Sequence, residues 1–331
     1  MSDIKIAVDV MGGDNAPEEI VKGSIISIEE MNDIKIILVG KEDAIREELK
    51  KYKYDESRIE IHNASEVIAT DEVPTVAIKK KKDSSLVVGL KLVKEGSAQA
   101  FISAGNTGAL LTGATITIGR IKGIERPALG TMIPHENGGA TFIIDSGANV
   151  DAKPNYLVQF AQMGSVYMEN VIGIKEPKVG LINIGAEKEK GNALTKETYE
   201  LLEQSNVNFT GNVEARDISK GVVDIAVCDA FVGNVILKYS EGFSKSLLKI
   251  IKKELMGDIF SKMGALLATG AFKRIKEFFD YSDVAGAPFL GLKALVVKAH
   301  GNSVAKDVRG AIKQSRLFVK ADIVSKIENK L

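Results

Sequence analysis

The feature that most constrains the fold is a pattern that recurs along the chain: a short apolar run, rich in β-branched residues, leads into a polar turn that contains glycine. The first two runs, residues 5–10 and 34–39, are each followed by a helical pattern, and residues 59–62 begin a third such unit. Strands that alternate with helices in this way favour a parallel sheet with helices packed on its faces.

Later runs make the predicted sheet mixed. Residues 128–133 and 141–144 are extended runs with Gly138 and Gly139 between them, which indicates a hairpin and therefore an antiparallel pair. We predict an α/β fold of three layers, α/β/α, with a large mixed, mostly parallel sheet. No repeat or linker divides the chain, so we expect residues 1–331 to form a single domain with two coupled lobes.

Residues 241–281 differ in character from the rest of the chain. An apolar stripe near helical spacing lies opposite a basic face, and a glycine-loosened apolar segment follows it. This pattern predicts an amphipathic helical hairpin with an apolar tip, inserted within the domain. The apolar stripe consists of Phe243, Leu247, Leu248, Ile250, Ile251 and Leu255. The basic face consists of Lys245, Lys249, Lys252 and Lys253.

Six turns place glycine beside Asn, Asp or Ser after a predicted strand. They comprise residues 11–14, 103–108, 145–149, 183–192, 229–234 and 299–303. Such turns present backbone N–H groups to an anion and let a ligand approach closely. Because ligands of open α/β sheets collect at the carboxyl ends of strands, we expect the six turns to converge on one cleft.

Composition limits the partners of the chain. Lys plus Arg and Asp plus Glu both number 44, so the formal net charge is zero and gives no global attraction to nucleic acid. The one cysteine, Cys228, cannot form an internal disulfide, and the N-terminus lacks a basic region followed by a long apolar segment. No apolar run approaches the roughly 20 residues that span a bilayer. These features predict a cytoplasmic protein.

Neither a cofactor nor a metal is predicted. The chain has no Walker loop, and no dinucleotide fingerprint follows the first strand. His62, His135 and His300 lie far apart in sequence, and the solitary Cys228 is typical of a buried small apolar side chain.

Several of these segments together resemble the PlsX family, the acyl-acyl carrier protein:phosphate acyltransferases of bacterial phospholipid synthesis. The resemblance runs in the family's order from residue 9 to residue 303, and the segments are DVMGGDNAP, SAGNTGA, ERPA, DSGAN, NIGAEKEKGN, CDAFVGN, GAPFLGL and HGNS. The chain departs from the family at LKALVVKAHG, where members are often richer in glycine.

The resemblance implies a fold like that of the isocitrate and isopropylmalate dehydrogenases, which phosphotransacetylases share, and a homodimer. It also implies that inorganic phosphate takes a fatty acyl group from acyl carrier protein to give an acyl phosphate. This reaction needs no metal or organic cofactor, since phosphate is a nucleophile near neutral pH and a thiol leaves a thioester readily.

Site residues follow from matching the turns to this reaction. Ser103, Asn106, Thr107 and Gly108 are predicted to bind phosphate or the thioester carbonyl, with Asp14 and Asn149 as further binding candidates. Lys190 is predicted to supply positive charge, and Asp229 and Asn234 to orient it or the reacting groups. His300 is a further catalytic candidate. Lys188, near Lys190, is interpreted as a solvated surface charge.

By resemblance, the helices of the hairpin contribute to dimerisation, and its tip is predicted to dip into a bilayer at Met263, Leu266 and Leu267. The protein would then be peripheral at the inner face of the cell membrane. Packing of the same side chains within a dimer is the alternative.

Other functions remain open to the sequence. The same turns would serve a phosphotransacetylase-like enzyme that uses acyl-coenzyme A. A dehydrogenase on the same fold is disfavoured, because its metal-binding acids and nucleotide pattern are not evident. A non-catalytic membrane scaffold or acyl-carrier sensor would use only the hairpin.

Overall fold

A computed structural model describes residues 3–278 and 286–331, and for residues 276–278 it describes the backbone alone. This part of the chain contains eleven strands in one sheet and thirteen α-helices. The strands are β1 Ile4–Asp9, β2 Ile34–Gly40, β3 Ile59–Asn63, β4 Ala100–Ser103, β5 Ala128–Pro134, β6 Ala140–Ile144, β7 Val179–Asn183, β8 Phe209–Glu214, β9 Ile225–Val227, β10 Ala287–Leu290 and β11 Leu295–Lys298. The helices are α1 Glu18–Glu30, α2 Glu42–Leu49, α3 Pro74–Lys80, α4 Ser85–Lys94, α5 Thr107–Thr117, α6 Pro154–Tyr167, α7 Ala193–Glu203, α8 Ala215–Ile218, α9 Ala230–Leu255, α10 Ile259–Leu267, α11 Thr269–Phe278, α12 Ala305–Lys320 and α13 Ile323–Lys330.

The sheet is mixed and mostly parallel, so the predicted fold class is confirmed. Its strand order is β3-β2-β1-β4-β11-β10-β5-β6-β9-β7-β8. Antiparallel pairs join β11 to β10, β10 to β5 and β5 to β6, and every other neighbouring pair is parallel. Because of these three antiparallel pairs, strands β6 to β9 run in the direction opposite to that of β1 to β4 and β11. The carboxyl ends of β1, β4 and β11 therefore lie at one edge of the sheet, and those of β6, β7 and β9 at the other.

The two faces of the sheet are covered differently. One face carries a continuous apolar core against α1, α6 and α12, which includes Ile6 and Phe142 from opposite halves of the sheet. The other, which we call the divided face, carries two separate clusters. Phe101 and its neighbours pack under α3, α4 and α5, while Ile143 and its neighbours pack under α8 and α9. The divided face thus has a boundary between two helical layers near its middle.

Two local features mark the helices at the ends of the chain. The cap residue of α1 is Pro17, and the Asn15 amide donates to the carbonyls of Asn302 and Ser303. Asp322, with a φ of 48°, separates α12 from α13.

The helix that contains the predicted apolar stripe begins at Ala230, well before residue 241. Helices α10 and α11 follow it, and the predicted end of the hairpin at residue 281 lies outside the described residues. Met263, Leu266 and Leu267 are 61%, 76% and 89% exposed, so these side chains protrude from the chain as the tip pattern predicts. Within the described residues, no helix combines the length and the apolar character needed to cross a membrane.

Candidate functional site

Three polar side chains stand next to one another at the carboxyl ends of β1, β4 and β11. Asp9 follows Val8, which pairs with Ile102, and Ser103 pairs directly with Lys298. Side chains alternate between the two faces along a strand. The residues two positions before Asp9, Ser103 and Lys298 belong to the apolar cluster under α3, α4 and α5. Asp9, Ser103 and Lys298 therefore project onto the divided face.

Asp9 is a buried carboxylate held by local donors. The Ser103 hydroxyl donates to it over 2.7 Å, and the backbone N–H of Met11 donates over 3.1 Å. Burial raises the pKa of Asp9, and the hydrogen bonds from Ser85, Ser103 and the following backbone oppose that rise. Ser103 also accepts the N–H of Gly105, so its hydroxyl organises the turn that leads into α5.

Lys298 is half-buried and lies between two turns. Its Nζ donates to the backbone carbonyl of Ala104 over 3.1 Å and to that of Ala299. Burial lowers the pKa of Lys298 to about 8, although the negative charges of Asp9 and Asp14 raise it and the positive charge of Lys238 lowers it further.

The turns after β1 and β11 contact each other closely. The N–H of Asp14 donates to the carbonyl of Gly301 over 2.7 Å. A Cβ at Gly12 would lie 2.8 Å from the backbone nitrogen of Gly105 in the turn after β4, so only glycine fits between the turns after β1 and β4. His300, in the turn after β11, lies 2.8 Å from a carboxylate oxygen of Glu241 on α9. That contact brings the long helix α9 over the strand ends.

The N-terminus of α5 is the turn that the sequence singled out. The Asn106 side chain caps the helix by accepting from the N–H of Ala109, and its amide donates to the carbonyls of Thr70 and Glu72. Asn106 therefore holds the turn in place. Thr107 and Gly108 form the first residues of the helix, where backbone N–H groups lack partners within the helix.

A second group of predicted residues lies after β6 and β9. Asp145 is buried and accepts hydrogen bonds from four backbone N–H groups and from the Asn149 amide, which lies 2.7 Å away. The same amide donates to the carbonyl of Pro127 over 2.8 Å. The role of the Asn149 side chain in the structure is thus to fix the turn around Asp145.

Asp229 and Asn234 lie at the start of α9. Asp229 caps the helix through the N–H of Val232, and a Cβ at Gly147 would lie 3.5 Å from the Asn234 amide nitrogen. Asn149 and Ala230 are joined by a backbone hydrogen bond. The turns after β6 and β9 therefore form one group at the edge of the sheet opposite Asp9.

One pair of hydroxyl groups lies between the two groups on the divided face. Thr131 on β5 lies between Leu129 and Ile133, which belong to the two separate apolar clusters, and its hydroxyl is 2.8 Å from that of Ser146. By register, Thr131 is level with Lys298 and two strands away, a distance of about 10 Å. The Thr131 and Ser146 hydroxyls therefore form a polar pair at the boundary between the two apolar clusters, with Ala287 on β10 between Thr131 and Lys298.

Lys190 follows β7, whose carboxyl end lies at the same edge of the sheet as those of β6 and β9. The turn after β7 carries it, and its side chain is exposed, whereas nearby Lys188 forms a 2.5 Å ion pair with Glu203. No hydrogen bond within the described residues joins this turn to Asp229 or to Asn234, and the convergence of all six turns on one cleft stays a prediction.

Sequence reasoning missed Asp9, Lys298, Asp145 and Glu241. Asp9 and Asp145 had a signal, because Asp9 is an acid near the end of the first strand run, just before a glycine-rich turn, and Asp145 directly follows the run at residues 141–144. Lys298 and Glu241 had none, because their surroundings come from strands and helices distant in sequence.

The comparisons with known proteins agree with this architecture. Residues 4–326 match a family described as fatty acid synthesis protein. A phosphate acyltransferase from Clostridium botulinum (strain ATCC 19397 / Type A) is 53% identical, with 98% of this chain and 97% of that protein covered. A phosphate acyltransferase from Clostridium perfringens (strain SM101 / Type A) is 51% identical over 99% of this chain and 97% of its own length. The chain belongs to the PlsX family.

This PlsX-family chain is therefore an acyltransferase, and membership implies phosphate as a substrate. A phosphotransacetylase from Streptococcus pyogenes shares its fold, with a TM-score of 0.64 at 18% identity over 96% of this chain and 94% of that one. The predicted likeness to phosphotransacetylase folds is confirmed.

Proposed function

We propose that this enzyme moves a fatty acyl group from the thioester of acyl carrier protein to inorganic phosphate, giving an acyl phosphate for phospholipid synthesis. The observation that carries the proposal is the polar edge of the divided face, where the N-terminus of α5 opens beside Asp9, Ser103 and the half-buried Lys298. A helix N-terminus beside a cation suits a dianionic nucleophile.

In the reaction, a phosphate oxygen attacks the thioester carbonyl carbon, the new C–O bond forms, and the C–S bond breaks. The thiolate leaves and takes up a proton from solvent. Backbone N–H groups suit the oxyanion that develops on the carbonyl, because fixed dipoles need no reorganisation as charge appears. The first turn of α5, at Thr107 and Gly108, offers such groups, while Ser103 and Asn106 hold that turn in shape.

The remaining candidates take supporting roles in this proposal. Asp14 and His300 border the same edge through the turns after β1 and β11. Asn149, Asp229 and Asn234 lie at the turns of the opposite edge of the sheet. No hydrogen bond among the described residues joins the Lys190 side chain to the other candidates, so its role is the least supported by the contacts.

One assay separates the proposal from its rivals. The purified protein is incubated with phosphate and with either acyl-acyl carrier protein or acyl-coenzyme A, and free thiol and acyl phosphate are measured. The proposal expects both products from the carrier protein, with thiol release dependent on phosphate. Faster turnover with acyl-coenzyme A would favour the phosphotransacetylase-like alternative, and phosphate-independent release or none would overturn the proposal.

The exposed apolar surface of α9 and α10 supports two further parts of the proposal. Phe231, Val235, Tyr239 and Phe243 recur every four residues along α9 and are all more than half exposed. A homodimer would cover this stripe. If Phe243→Glu sediments as a monomer while the wild type sediments as a dimer, that result would support the homodimer.

The tip side chains of α10 suit peripheral contact with a membrane, which would deliver an insoluble acyl phosphate to its next enzyme.

A further inference from the structure

The amino group of Lys298 lies against the turn that leads into α5. Its Nζ bonds to the carbonyl of Ala104, the residue immediately before the glycine that opens that turn. It emerges from β11 directly beside Ser103 on β4. Its position is thus set by two neighbouring strands and two turns, and not by a flexible surface segment.

The hydrogen bonds of Lys298 leave one of its donors free. A protonated lysine has three N–H groups, and the carbonyls of Ala104 and Ala299 take two. Among the described residues, no further hydrogen bond and no ion pair within 4.0 Å involves its Nζ. A half-buried cation with an unused donor has the chemistry of an anion ligand.

A purely structural role for Lys298 would be to offset the charge of nearby carboxylates. Asp9 faces it from β1 and Asp14 from the following turn, but neither reaches ion-pair distance. Asp9 is already satisfied by hydroxyl and backbone donors. From α9, Lys238 adds positive charge, while Glu241 is engaged by His300. The local carboxylates therefore do not consume the free donor of Lys298.

We propose that Lys298 is a catalytic residue whose free N–H donates to the attacking phosphate and holds it beside the N-terminus of α5. This assignment rests on the proposed phosphate acyltransferase activity. Lys298 stays protonated throughout: the phosphate oxygen forms the bond to the acyl carbon, the thiolate leaves, and the lysine exchanges no proton with either.

The first test is a split between the two substrates. Lys298→Met removes the donor and is expected to raise the KM for phosphate by a factor on the order of 10 to 100, the usual effect of losing a hydrogen bond to a charged group. The KM for the acyl thioester is expected to stay within about twofold. Lys293→Met is the matched control, because Lys293 is exposed in the segment that precedes β11.

The second test is a pH profile. Since the pKa of Lys298 is lowered to about 8, the wild type should lose phosphate affinity as pH rises past that value. Lys298→Arg keeps its charge at every pH and should lack this loss. The ionisation of phosphate itself cancels in the comparison of the two proteins at each pH.

The outcomes are distinct. Failure of the wild type to consume phosphate sinks the proposed function. An active wild type with an unchanged phosphate KM in folded Lys298→Met overturns the assignment of Lys298. A structural role would lower the unfolding temperature of Lys298→Met and change both KM values together, which also overturns it. If Lys298→Met does not fold, the pH profile of Lys298→Arg decides alone: the same loss as in the wild type overturns the assignment.

Discussion

The Ser103 hydroxyl donates a hydrogen bond of 2.7 Å to Asp9 where both residues are at most 2% exposed. The two residues end neighbouring strands but are 94 positions apart in sequence. Together they join the turns that follow β1 and β4, so their contact ties the candidate site to the core of the sheet.

Asp9 gives a prediction for stability against pH. Burial raises its pKa above the ordinary value of 3.8, so on raising the pH the unfolded chain releases this proton first. The contribution of Asp9 to stability is therefore fully present below pH 3.8 and is lost as pH rises through the folded pKa. As the pH rises through the folded pKa of Asp9, we expect the free energy of unfolding of the wild type to fall relative to that of Asp9→Asn. Urea denaturation at a series of pH values measures this difference.

Asp55 supplies the control for Asp9. Hydrogen bonds from the Ser57 side chain and backbone lower the pKa of Asp55. Its contribution to stability therefore has the opposite pH dependence, because it is fully present above pH 3.8 and is lost as pH falls through the folded pKa. Asp55→Asn should show the opposite, weaker trend because Asp55 is exposed. Equal slopes for the two variants would contradict the assignment to Asp9.

Asn149 was predicted from the sequence to bind substrate, whereas its amide bridges Asp145 and Pro127. Asn149→Ala would leave a buried carboxylate short of a donor, and we expect a loss of about 1–3 kcal/mol in the free energy of unfolding. Chemical denaturation measures it. Asn137→Ala, which removes one exposed hydrogen bond to Lys220, should cost less. An unchanged stability together with a raised phosphate KM would restore the substrate-binding role.

Lys190 and Lys188 form a matched pair of lysines in one turn. Lys188 is engaged by Glu203 and by the ring of Tyr199, while Lys190 has no side-chain partner among the described residues. If Lys190 supplies charge to the site, Lys190→Ala lowers phosphate-dependent turnover at an unchanged unfolding temperature. Lys188→Ala should keep its turnover. Equal turnover of Lys190→Ala and wild type removes Lys190 from the site.

Leu266 and Leu267 test the membrane proposal. Both are largely exposed, so Leu266→Glu with Leu267→Glu should leave the unfolding temperature and the oligomeric state unchanged. We expect the double variant to lose binding to anionic liposomes in a flotation assay. Ile184→Glu is the control, because Ile184 is 81% exposed on the turn after β7. Binding that persists in the double variant rejects contact through the tip.

Local patterns determined much of the fold. Periodicity predicted most strands and helices, the glycine pair predicted the β5–β6 hairpin, and apolar residues predicted the exposed tip at Met263. These features depend on neighbours within a few positions, which a sequence displays directly. Strand β8 was missed because its polar residues, FTGNVE, carry no continuous apolar signal.

The candidate site was predicted only in part, since the sequence identified the turns but not the roles of their side chains. Asn106 and Asn149 were predicted as ligands, but their amides are occupied by neighbouring carbonyls and, for Asn149, by Asp145. A residue type in a turn shows which hydrogen bonds it can form, whereas the packed chain decides which partners it meets.

The sequence by itself determined the alternation of strands and helices, the glycine-rich turns and the absence of a net charge. Only the tertiary structure decided which turns share an edge of the sheet, because three antiparallel pairings reverse one half against the other. It also decided that Lys298 stands beside Asp9 and Ser103 with one donor unused. Burial, register and electrostatic environment arise from strands far apart in sequence, and they exist only once those strands are paired.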